Sequence, residues 1–250
     1  MRMLRLTIRI FLLTLWCTAV MIAAGASCLL AGGKWKRVRL GSWWVAVWSK
    51  AVCRIIGLRV RTHGELPGGQ GALVVGNHLG YLDILVHGQV FKLRFAPKAE
   101  IKRWPVFGWL TALSAPVWID RKNPRMSAVY AREFRETIEN GVFMLVYPEG
   151  TSTGGKDGLL KFKSTPFASA LECKSRIIPT LLFYSDPEAA WYDDTPFGVH
   201  ILRVLEKKEI TIDLYCFAPV LPEAGEDRKA LAERIHGMME MEYWKIENSR

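Results

Sequence analysis

The sequence predicts an α/β fold: a mixed, largely parallel sheet flanked by helices, preceded by an N-terminal membrane-associated helical segment. Three observations carry this. From Gly57 onward, short β-rich apolar runs alternate with helical stretches, the pattern of strands joined by crossover helices. Ile10–Ala31 is a run of 22 uncharged, mostly apolar residues. The net charge of +10 is unevenly placed, with 11 Lys or Arg and no Asp or Glu between Met1 and Gly64. The remaining residues hold 23 basic and 24 acidic side chains, so the folded part is close to neutral.

At 1.5 Å per residue, Ile10–Ala31 is long enough to cross roughly 30 Å of hydrocarbon. Arg2, Arg5 and Arg9 precede it, and Lys34, Lys36, Arg37 and Arg39 follow. Basic residues on both flanks also suit a helix embedded in one leaflet. A removable signal peptide has a shorter apolar region, and Gly25-Ala26-Ser27-Cys28 is a poor processing site. The next stretch, Ser42 to Gly57, carries Trp43, Trp44 and Trp48 with Lys50 and Arg54, which fits an interfacial helix. Basic residues and Trp beside an apolar run suit an anionic lipid surface. A nucleic-acid binder would carry its charge on the folded domain. The chain therefore divides into a membrane-anchoring helical segment, 1–57, and an α/β domain, 58–250.

In that domain the expected strands are Leu58–Thr62, Ala72–Gly76, Lys92–Ala96, Pro116–Ile119, Val142–Tyr147, Ile177–Tyr184, His200–Val204 and Ile210–Phe217. The expected helices are Leu82–Val90, Pro124–Asn140, Thr165–Cys173 and Asp227–Trp244. Several strands are short apolar runs bounded by Gly, Pro or charge, as in sheets buried on both faces. Cys17, Cys28, Cys53, Cys173 and Cys216 form no C-x-x-C pair, which points away from a disulfide framework or zinc site and toward a reducing, cytosol-facing domain.

Four places carry chemistry. In Asn77-His78-Leu79-Gly80-Tyr81-Leu82-Asp83, the histidine follows a buried strand and the carboxylate lies five residues on. On one continuous helix they would sit about 140° apart and not meet. With His78 in a turn eased by Gly80 and Asp83 in the first helical turn, they converge, and the acid fixes the tautomer of a general base. The structural alternative is a capping histidine with an Asp that favours the helix dipole. His87 shares a helix face with Asp83, a spacing that also suits a metal, though no further ligands cluster nearby. The second place is Tyr147-Pro148-Glu149-Gly150-Thr151-Ser152-Thr153-Gly154-Gly155-Lys156, a hydroxyl- and glycine-rich loop after a strand that can offer N–H groups to phosphate. It misses a nucleotide-binding loop because Asp157 stands where Ser or Thr would bind the metal. The third is Val117-Trp118-Ile119-Asp120-Arg121, whose Arg121 can grip a phosphate. The fourth is Ile177-Ile178-Pro179-Thr180, where a proline disfavours a central strand position.

In this order the four pieces resemble the lysophospholipid acyltransferase superfamily, typified by PlsC-like 1-acylglycerol-3-phosphate acyltransferases. Its N-H-x4-D block is matched at Asn77, His78 and Asp83. A block like F-I-D-R resembles Trp118-Ile119-Asp120-Arg121, and P-E-G-T-R-S is kept at Pro148, Glu149, Gly150 and Thr151. An apolar block with a proline resembles Ile177-Ile178-Pro179. Ala115 and Ser152-Thr153 depart from the pattern, the latter replacing the usual Arg-Ser. Bacterial members that acylate lyso-ornithine lipids resemble that variant loop.

The resemblance implies a glycerolphosphate acyltransferase-like fold on a membrane, the inner one in a bacterium, with the catalytic domain facing the cytoplasm. It implies transfer of an acyl group from acyl-CoA or acyl carrier protein to a lysolipid hydroxyl, with no metal or organic cofactor. His78 would be the base and Asp83 its partner. Arg121, Glu149, Gly150 and Thr151 would hold the acceptor head group, Asn77 would support the site, and Pro179 would line an acyl pocket. A thioesterase, or a silent lipid-binding protein with the same fold, are the rival readings.

Overall fold

The computed structural model describes residues 2–66, 68–69, 71–120 and 122–250. Two long helices open the chain, α1 (Arg2–Leu30) and α2 (Lys34–Ile56). They form an antiparallel hairpin held partly by the Trp44 indole N–H, which donates to Ser27 Oγ at 2.9 Å. Gly57 ends α2 in the left-handed region, φ 76°, and its N–H caps the carbonyls of Cys53 and Arg54. The chain then enters β1 (Leu58–His63), β2 (Leu73–Gly76), α3 (Leu82–Val90), β3 (Leu93–Phe95) and α4 (Phe107–Leu113). It continues through α5 (Ser127–Glu139), β4 (Phe143–Val146), α6 (Phe167–Glu172), β5 (Ile177–Tyr184), α7 (Phe197–Glu206), β6 (Ile210–Cys216) and α8 (Arg228–Glu247).

The six strands run in the order β1-β6-β5-β2-β4-β3, parallel at every pairing except β5 with β6. Side chains alternate across this sheet, so each central strand feeds two cores. Val74, Ile178 and Leu182 pack with Leu82 and Val86 of α3, Val52 and Ile56 of α2, and Val204 of α7. Leu73, Val75, Ile177 and Leu181 pack with Phe134 of α5, Phe167 of α6 and Ile235 and Met239 of α8. Helix α2 is thus part of the core as well as a neighbour of α1. It meets α3 closely where Ser49 lies against Gly88, which leaves no room there for a Cβ.

Three expectations need correction. His200–Val204 belongs to α7 and not to a strand. A five-residue stretch with three aliphatic residues has no clear period of its own, and here it continues a helix whose buried face is His200, Val204 and Leu205. Pro116–Ile119 is extended but forms no strand; Val117 and Ile119 donate to Phe95 and Pro97 carbonyls beside the sheet edge. Pro179 lies in β5, the strand between β6 and β2, despite lacking a donor. Its partner strand accommodates it. The pairs Ile177↔Val220 and Thr180↔Cys216 enclose two residues on one side and three on the other, a bulge opposite the proline. Helix α4 was not expected from its Trp- and Gly-containing sequence.

Candidate active site

The end of β2 delivers Asn77 and His78 to the edge of the sheet. Asn77 is buried, and its amide both donates to Leu182 O at 3.1 Å and accepts from Leu182 N at 2.7 Å. It splints β2 to β5, so its side chain is already fully engaged. The chain then turns through Gly80, φ 155°, where a Cβ would meet the Trp191 backbone nitrogen at 2.9 Å. This turn folds Asp83, in the first turn of α3, back onto His78.

His78 Nδ1 lies 2.7 Å from Asp83 Oδ2. The same oxygen accepts from Leu79 N at 2.7 Å and Gly80 N at 3.0 Å, while Oδ1 accepts from the Tyr184 hydroxyl at 2.6 Å. An ionised carboxylate only accepts, so Nδ1 carries the proton and Nε2 keeps its lone pair. Among the described residues Nε2 forms no hydrogen bond, and the His78 side chain is 23% exposed. Asp83 is fully buried. The Tyr147 ring stacks on the imidazole at 4.3 Å between centroids and 7° between planes.

His87 lies one helical turn behind Asp83 and is fully buried. Its Nδ1 is 2.9 Å from Asp83 O and 3.2 Å from the Tyr147 hydroxyl, and its Nε2 is 2.9 Å from Thr180 Oγ1. Burial holds its pKa down, at about 4, so it is neutral and packed.

The loop after β4 closes over this turn. Glu149 is buried and takes the His78 N–H on Oε1 at 2.9 Å and the Leu160 N–H on Oε2 at 3.1 Å. Burial pushes its carboxyl up to about 6. With both oxygens occupied, it braces the loop against His78. Thr153 N donates to His78 O at 2.8 Å, and Ser152 Oγ donates to Trp191 O at 2.8 Å. Gly150 takes a left-handed φ of 77°, and the Lys163 side chain lies across it. Thr151 is exposed. Arg121 lies outside the described residues; the neighbouring Asp120 and Lys122 are both exposed.

Beside the His78–Asp83 turn lies an apolar cavity of about 450 Å³ between α1, α2, α3 and α4. Tyr81 and Leu82, the two residues just before Asp83, form part of its wall with Trp44, Trp48, Trp104 and Phe197. Pro179 is not among its lining residues. The alternation of β5 turns Pro179 with Ile177 and Leu181 to the other face, away from α3. Sequence reasoning passed over Tyr184 and Trp191, and gave Thr180 no role of its own. Tyr184 and Thr180 could have been found, because they share strand parity with Leu182 and so face α3.

Comparison with known proteins places this geometry in a family. A model of the Acyltransferase family matches residues 57–182. The lyso-ornithine lipid O-acyltransferase of Pseudomonas aeruginosa is 32% identical over 203 residues, 79% of this chain and 76% of its own. That of Rhizobium meliloti is 28% identical over 219 residues, 80% and 75% of the two chains. The 1-acyl-sn-glycerol-3-phosphate acyltransferase of Neisseria meningitidis is 33% identical over 188 residues, 72% of each. In fold, the chain is similar to the crystal structure of the acyltransferase PlsC from Thermotoga maritima, with a TM-score of 0.69 at 18% identity over 98% of this chain and 96% of that one. The chain belongs to the acyltransferase family.

Proposed function

We propose that this chain is a membrane-bound O-acyltransferase that moves a fatty acyl group from acyl-CoA or acyl carrier protein to a lysolipid hydroxyl. The acceptor is 1-acylglycerol-3-phosphate in the first reading. Lyso-ornithine lipid is the second reading, favoured by Ser152 in place of the usual arginine and by the names of the relatives from Pseudomonas and Rhizobium.

The observation that carries the chemistry is an imidazole tied through Nδ1 to a buried carboxylate, its Nε2 unengaged among the described residues, beside an apolar cavity. In the proposed step Nε2 of His78 takes the acceptor's hydroxyl proton as that oxygen bonds to the thioester carbonyl carbon. Asp83 holds the ring and stabilises its cation. The C–S bond then breaks, and the departing thiolate takes the proton back from His78. Water in place of the lipid alcohol would give hydrolysis instead. Gly150, Thr151 and Arg121 are assigned to the acceptor head group; Asn77 and Glu149 hold the frame around them.

In this reading residues 1–57 are the anchor and 58–250 the transferase domain, and α1 is long and apolar enough to cross a bilayer. The helix is about 43 Å long. Near its start Arg5 and Arg9 donate to carbonyls of residues 205–208, and near its end Ser27 meets Trp44. These contacts tie one side of it to α2 and to the end of α7. Its other side exposes Leu4, Phe11, Leu15, Leu29 and Leu30. The free thiols suit a cytoplasmic catalytic face.

Incubation with labelled acyl-CoA and a panel of lysolipids, with mass spectrometry of products, tests the proposal. Acceptor-dependent diacyl product is expected. Free fatty acid formed equally without acceptor would replace it by a thioesterase reading.

A further inference from the structure

We propose that Tyr184 is a positioning residue for the acyl-transfer centre, acting through Asp83; this rests on the acyltransferase reading above. The distribution of donors around Asp83 carries it. Oδ2 takes three N–H groups, from His78, Leu79 and Gly80, whereas Oδ1 takes one partner, the Tyr184 hydroxyl at 2.6 Å. Asp83 is fully out of water, so no solvent can stand in for that hydroxyl. The two N–H groups of the turn move with His78 and cannot tell the carboxylate how to rotate relative to the sheet. Tyr184 can, because it is the last residue of β5 and its position is fixed by pairing with Ile212 of β6. The phenol stays protonated, since burial and the adjacent Asp83 charge both raise it well above its ordinary value. It is therefore a permanent donor that draws charge toward Oδ1 and away from the oxygen facing the imidazole.

Removing the hydroxyl leaves more negative charge facing His78, so the His78–Asp83 pair takes up a proton at a higher pH. A stronger donor does the reverse. The other titratable groups facing the pair are Tyr147, stacked on His78; His87, behind Asp83; and Glu149, on the His78 N–H. Tyr81 sits in the intervening turn and donates to His200 Nδ1, whose Nε2 faces the carbonyls of Glu188 and Ala190. Burial pushes the Glu149 carboxyl up to about 6, so the measurement is repeated in the Glu149→Gln background to keep its titration apart.

The experiment is the pH dependence of kcat and kcat/KM for the full-length enzyme in mixed lipid micelles with lysophosphatidic acid and acyl-CoA. Tyr184→Phe is expected to lower kcat about ten- to hundredfold, the usual worth of a hydrogen bond to a charged group. The acceptor KM stays within about twofold, and the acid limb moves up by about half a pH unit or more. Tyr184→3,5-difluorotyrosine, which keeps the ring and strengthens the donor, moves that limb down, and it serves also if the phenylalanine variant folds poorly. In the Asp83→Asn background Tyr184→Phe causes no further loss. A Tyr184→Phe enzyme with wild-type kcat and an unmoved limb, or equal losses with and without Asp83, would overturn the assignment. Turnover retained by His78→Ala would instead remove the transfer mechanism on which it rests.

Discussion

The two sides of the His78–Asp83 turn are built on opposite principles. Toward the sheet, each side-chain polar atom of Asn77, Asp83, His87 and Glu149 has a partner. In a water-free interior each unpaired group would be costly, so this side tolerates one arrangement only. Toward the N-terminal hairpin lies a cavity walled by tryptophan, leucine and phenylalanine, and beyond it a surface of exposed apolar residues on α1 and α4. There the contacts are non-directional, and shape alone selects what fits. The contrast teaches that the His78–Asp83 centre is held by hydrogen bonds and the cavity by shape, so the two can be damaged separately.

The largest break falls on the hydrogen-bonded side. His78→Ala should reduce acyl transfer by about three orders of magnitude or more while the melting temperature moves little. An assay on folded variant with near wild-type turnover would remove the base from the scheme. Next come the buried titrating groups. His87, held neutral with its constant at about 4 against an ordinary 6.5, contributes stability that is present above pH 6.5 and lost as pH falls toward 4, about 3 kcal/mol. Glu149, raised to about 6 from 4.5, works in the opposite sense: its contribution is present below pH 4.5 and lost as pH rises through 6, about 2 kcal/mol. Urea melts of the wild type should therefore vary little between pH 4.5 and 6. Those of His87→Gln should lose stability as pH rises across that window; a rising trend would contradict the Glu149 assignment.

The apolar side should respond in kind and not in rate. Leu110→Trp, which fills part of the cavity, should shift acyl-length preference toward shorter chains by about tenfold in relative kcat/KM, leaving the pH profile unchanged. Unaltered preference in a competition assay would show that the cavity holds no acyl chain. The smallest effect concerns the outer surface. Trp109 is 65% exposed on α4, so Trp109→Ala should leave stability alone and weaken partition into anionic vesicles by about threefold. Unchanged co-sedimentation would place α4 away from the bilayer.

How much of this was legible in the sequence follows the same division. The His78–Asp83 turn could be read because strand, glycine and helix start are local signals, and the loop after β4 because its glycines and hydroxyls follow an apolar strand. Residues whose role depends on a distant element were harder. Tyr184 meets Asp83 across 101 positions; strand parity turns it toward α3, but no local signal names Asp83 as its partner. His200–Val204 misled because so short a stretch fits strand and helix alike, and its packing against Glu188, Ala190 and Tyr81 decides the outcome. The cavity was invisible because the residues that enclose it are spread from Leu13 to Ile201. Glu149, expected to face the acceptor, instead spends both oxygens on backbone N–H groups, a fate no local pattern announces.

The clasp between Arg5, Arg9 and the carbonyls of residues 205–208 joins parts of the chain about two hundred positions apart. On the ribosome, the first helix emerges long before the segment that will receive its guanidinium groups has been made. Until then that greasy stretch has water or lipid for company. The clasp would thus close last, and the α/β fold would be completed against a helix made long before it.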